Sequence, residues 1–148
     1  MGLDMYLKAE KFLWDREKER EPLKNKIAEL LPEVAALEVS RITVEAAYWR
    51  KANAIHAWFV HNCQDDVDEC QNTPVGHDDL QKLLDVVNQV LENRELAPKL
   101  LPTQGGFFFG DTEYGEYYIE DLKYTKERLE LLLSPEYKGW DFTYRSSW

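Results

Sequence analysis

Three separated segments of this chain alternate apolar and polar residues, and segments of helical period lie between them. Few architectures accept that order. Leu3, Met5 and Leu7 alternate against Asp4 and Tyr6, the β-branched run from Val39 to Ala46 has a period of two, and Trp140 to Arg145 alternates again. A strand of this kind buries one face and needs neighbours to pair with. Strands spread along the chain with helices between them predict an α+β fold. We expect one small sheet of about three strands, the first, middle and last, with several helices packed on it. Its 148 residues, 44% of them hydrophobic, suffice for one core, so residues 1–148 are expected to form a single globular domain.

The intervening segments read as follows. Charged residues dominate from Glu10 to Lys26. Phe12, Leu13, Leu23, Ile27, Leu30 and Leu31 stand at roughly helical spacing there and predict a helix interrupted near Pro22 and stopped by Pro32. Trp49 to Cys63 predicts a mostly buried helix running straight on from the middle strand, and the acidic stretch through Pro74 predicts a loop. Asp78 to Asn93 is the clearest helix, with a stripe of Leu80, Leu83, Leu84, Val87 and Leu91. A short helix is expected around Leu96 to Leu101. Glu116 to Leu133 predicts an amphipathic helix through Tyr118, Leu122, Thr125, Leu129 and Leu132, stopped at Ser134-Pro135.

A net charge of −10 argues against direct nucleic-acid binding, which needs a basic footprint. Mimicry of nucleic acid would want acids in long rows on one face, whereas acids and bases interleave from Glu10 to Lys26; only Asp65-Asp66-Val67-Asp68-Glu69 is purely acidic. No stretch approaches the roughly 20 apolar residues of a membrane span. Met1-Gly2-Leu3-Asp4 has no basic region followed by an apolar run, so no secretory signal is expected. A cytoplasmic protein with Cys63 and Cys70 reduced follows.

Catalytic and metal motifs are missing. The chain has no GxSxG, no P-loop and no GxGxxG. His61, Cys63, Cys70 and His77 match no zinc spacing, and the acidic loop lacks the glycine and terminal Glu of an EF-hand. No metal and no cofactor are expected. Asp4 and Glu45, on strands, either do acid–base chemistry or pair with Arg41 or Arg145.

The aromatic residues carry the functional signal, because they gather at element ends beside small polar groups. On a helix opened by Trp49, Trp49, Asn53 and His56 share one face, with Arg50 beside them. Gln104 to Gly110 is a glycine-bracketed loop containing Phe107, Phe108 and Phe109, which must point in different directions. With Arg145 from the last strand, these groups predict a pocket of Trp49, Arg50, Asn53, His56, Phe108 and Arg145. Stacking and guanidinium contacts there would hold a nucleotide-like or other small anionic ligand. The alternative is that Asn53 and His56 are buried groups bonded to backbone and the phenylalanines plug the core.

Four blocks in order also resemble a family of small uncharacterised bacteriophage and prophage proteins. They are Met1 to Leu7, Tyr48 to Val60, Leu100 to Gly110, and Tyr144-Arg145-Ser146-Ser147-Trp148. The resemblance covers most of the chain and transfers no activity or catalytic residue. It implies a small phage accessory protein in the bacterial cytoplasm, of a kind that often counters host defence by binding an effector or sequestering a nucleotide signal. A ligand-binding counter-defence protein is therefore the first expectation. An acidic inhibitor of a host nucleic-acid-binding or CRISPR defence protein is the second, and a small hydrolase using Glu45 or His56 the third. The sequence leaves the oligomeric state open.

Overall fold

The computed structural model describes residues 2–14, 18 and 20–148. The predicted strands do share one sheet. β1 (Asp4–Phe12) lies between β2 (Arg41–Arg50) and β4 (Asp141–Ser147), antiparallel to both, and β3 (Thr73–Val75) pairs with the outer side of β4. The order β2-β1-β4-β3 makes four strands among the described residues, one more than predicted. β3 escaped notice because it has only three residues, one of them Pro74. Proline cannot donate to a ladder and is confined to edges such as this one.

Alternation decides which face is covered. Met5, Leu7 and Ala9 of β1 and Phe142, Tyr144 and Ser146 of β4 are buried, whereas Asp4, Tyr6 and Lys8 of β1 and Arg145 of β4 are not. Helices cover the apolar face and leave the other open. α3 (His77–Glu92) buries Leu80, Leu83, Leu84, Val87 and Val90, the last in the place expected of Leu91. Asp79 accepts the Gly76 N–H at its start, 3.1 Å away. α5 (Glu116–Leu132) buries all five predicted stripe residues and packs on α3. α2 (Asn53–Cys63) lies largely buried, and α4 (Ala97–Leu100) is one short turn.

Two expectations are corrected. Phe12 belongs to β1, not to a helix; α1 (Arg20–Leu30) starts later, with Pro22 harmless in its first turn and no residue buried. Residues 15–17 and 19 of the predicted helix lie outside the described residues. Trp49 and Arg50 belong to β2, not to the following helix. The ladder with β1 continues through Met5↔Trp49 and Asp4↔Arg50, and only at Lys51, in the left-handed region at φ 59°, does the chain turn into α2. β2 also carries a bulge where Leu7 opposes Ala47 and Lys8 opposes Glu45, so Ala46 is extra and the alternation changes phase. No helix among the described residues is long and apolar enough to cross a membrane.

Candidate functional site

A cleft of about 290 Å³ opens where β2 hands over to α2. Arg50 and Lys51 form one side, with Asn53, Ala54 and Ile55 of the first turn of α2. Thr103, Gly110, Asp111 and Glu113 come from the aromatic loop and its continuation. Tyr117, Tyr118, Asp121 and Leu122 of α5 close the remaining wall.

Local sequence explains how these remote segments meet. The Lys51 N–H donates to the Leu3 carbonyl at 2.7 Å, which ties the left-handed turn to the start of β1. Gly110 passes against that turn at φ +83°, and a Cβ there would sit 3.3 Å from Lys51 Cβ, so only glycine fits without strain. Asn53 then clamps the loop. Its Nδ2 donates to the carbonyls of Phe109 (2.9 Å) and Asp111 (2.8 Å), and its Oδ1 accepts the Gln104 N–H (2.9 Å). Tyr118 reinforces the far wall by donating its hydroxyl to the Leu101 carbonyl at 2.8 Å.

The cleft carries charges of both signs. Arg50 and Lys51 flank the N-terminus of α2, where no side chain caps the helix and the Asn53 N–H donates to the Lys51 carbonyl at 2.8 Å. Asp111, Glu113 and Asp121 line the same cleft, with the Asp111 carbonyl 2.8 Å from Asn53 Nδ2. Burial pushes the Asp121 carboxyl up to about 7, helped by the charges of Glu120 and Asp111. A carboxyl poised near neutrality in a cleft can exchange a proton with a ligand or change its donor character over a narrow pH range. Asp121 carried no sequence signal, because it sits among other charged residues of an amphipathic helix.

The structure places the six predicted site residues in four locations. Arg50 and Asn53 line the cleft, although both N–H donors of Asn53 are committed to the loop, so its amide holds the wall. Trp49 points into the core. Its Nε1 donates to Thr125 Oγ1 at 2.9 Å and its ring meets Phe59 and Tyr124. His56 is fully buried and lies between Tyr144 and Asp68. The face shared by Trp49, Asn53 and His56 does not exist, because Trp49 is not on the helix. Phe108 is half-buried away from the cleft and its carbonyl accepts the Leu3 N–H; its neighbours diverge, Phe107 into solvent and Phe109 onto His56. Arg145 lies on the open sheet face opposite Tyr6.

The remaining candidates separate likewise. Asp4 accepts the Tyr48 hydroxyl, and Arg41 pairs with Glu10 at 3.2 Å. Among the described residues, no three His, Cys, Asp or Glu side chains are arranged to hold a metal ion. His61 pairs with Asp66, and His77 meets the Tyr137 carbonyl.

Fold and cleft together define an α+β protein with a one-sided antiparallel sheet and a small polar cleft at its rim. No protein-family model, curated protein or solved structure matches the chain.

Proposed function

We propose that this chain is a non-enzymatic binding protein whose cleft takes a small, nucleotide-like molecule bearing an anionic group. One observation carries the reading: Arg50, Lys51 and the start of α2, which no side chain caps, line a single cavity in a protein of net charge −10. An anion can be held at such a place only by local concentration of positive groups. The acids of the lining suit the N–H groups of a base, and the exposed ring of Tyr117 offers a stacking surface. The cavity lies at the small end of ligand pockets, which favours a mononucleotide over anything larger. His56 and Asp68 are a carboxylate–histidine pair, but His56 is buried and absent from the cleft wall, which favours binding over hydrolysis.

The resemblance to phage and prophage proteins supplies a setting. Sequestering a nucleotide signal in the bacterial cytoplasm is a counter-defence role that needs only a pocket.

Calorimetric titration with the common ribonucleoside monophosphates and cyclic nucleotides tests this. At least one should bind. Arg50→Ala should weaken it by about tenfold or more, as expected for one charge-assisted contact, while the exposed Lys18→Ala should leave it unchanged. Absence of binding across the panel, or a ligand indifferent to Arg50→Ala, would sink the reading.

A further inference from the structure

β2 is an edge strand of the sheet, and α5 covers only its second half. Tyr124 Oη accepts the Tyr48 N–H at 3.1 Å, and Arg128 Nε donates to the Ala46 carbonyl at 2.8 Å. Arg41 to Glu45 lie beyond this cover. Among the described residues, none outside β1 hydrogen-bonds to their backbone. An open edge of good strand formers is a template for another strand, and soluble proteins normally blunt it or use it.

This edge has a specific complement: its own reverse. Set two copies antiparallel about Thr43, and Arg41 stands opposite Glu45 of the second copy, Ile42 opposite Val44, and Thr43 opposite Thr43. Opposite charges, β-branched apolar pairs and Thr–Thr pairs are the favourable cross-strand combinations. The faces agree as well. Across β1, Thr43 and Glu45 oppose Glu10 and Lys8 on the open face, while Val44 opposes buried Ala9. Val44 is nevertheless 41% exposed, an apolar side chain on the helix-covered side with nothing fully over it. Arg41 keeps donors to spare beside its pair with Glu10, since a guanidinium has five N–H groups. A slip by one residue would set Arg41 against Val44 and lose both charge pairs. The segment leading into this edge is also uncovered, with Leu30, Leu31 and Leu37 exposed and no residue of α1 buried.

We propose that the Arg41–Glu45 edges of two copies pair antiparallel about Thr43, joining two four-stranded sheets into one continuous sheet across a two-fold axis. The cleft at Arg50 lies at the other end of β2 and stays open in this dimer.

Sedimentation velocity of the full chain over a concentration series tests the proposal. The native protein should self-associate to a dimer. R41E and E45R should each weaken association about tenfold or more, because each sets like charges against one another twice across the axis. Mixing R41E with E45R sets an all-acidic edge against an all-basic one and should restore a dimer containing one copy of each. Thr43→Cys gives a second reading that does not depend on charge: it should form an intermolecular disulfide under mild oxidation that Thr143→Cys does not. A native chain that stays monomeric throughout the series, a dimer indifferent to both charge variants, or failure of the mixture to associate would each overturn the pairing.

Discussion

His56 and Tyr144, 88 residues apart in sequence, meet through a 2.7 Å hydrogen bond between Nδ1 and the phenolic oxygen. The other ring nitrogen faces the Asp68 carboxylate at 2.9 Å, and that carboxylate also accepts from Trp148 Nε1. With the Nε2 proton donated to Asp68, Nδ1 is the acceptor for the Tyr144 O–H. Burial, reinforced by the Asp68 charge, holds the Tyr144 hydroxyl well above its ordinary range, so it stays protonated and remains the donor. The chain of bonds ties α2, the acidic loop and β4 together beneath the sheet. His56→Phe should cost about 2–4 kcal/mol, because it leaves the Tyr144 hydroxyl buried with no acceptor. In urea denaturation the double variant with Tyr144→Phe should lose less than the sum of the singles. Additivity would mean that the bond carries no coupling.

Asn53 is predicted to act through the loop it holds. Asn53→Leu removes the contacts to Phe109, Asp111 and Gln104 while leaving their backbone groups part-buried, for an expected loss of about 2–4 kcal/mol. Amide hydrogen exchange should rise first at Gln104 and in the following loop, ahead of the strands. Uniform acceleration across the sheet would show that the clamp is not local.

Asp121 sets a pH dependence. Its folded pKa of about 7 lies above the unfolded 3.8, so the native state binds the proton more tightly. Stability therefore falls as pH rises from about 4 to about 7, and the loss is complete above that window. The group is partly exposed, so solvent screening reduces the effect to about 1–2 kcal/mol. Asp121→Asn should stabilise the protein above neutrality by that amount and leave it unchanged at the acid end. Urea midpoints measured across the window check the sign; a variant less stable above neutrality would contradict it.

Elements whose pattern is local were legible in the sequence. The alternation of Leu3, Met5 and Leu7 and of Phe142 and Tyr144 assigns a buried and an open face before any partner is known, and the stripes of α3, Leu91 excepted, and of α5 lie inside as their 3.6-residue period requires. The α+β class followed from these periods alone. Partner-dependent features were not legible. Tyr48 to Asn53 contains no proline or glycine to mark where β2 ends. Its end comes from β1 pairing as far as Arg50, and from the Leu3 carbonyl and Gly110 holding Lys51 in a left-handed turn. Trp49 therefore went inward, and with it went the expected row of ligand-facing side chains. The cleft, the raised carboxyl of Asp121 and the His56–Tyr144 bond share that origin. Each depends on desolvation and directed hydrogen bonds between segments far apart in the chain, and such short-range forces act only once the tertiary fold has brought the groups together.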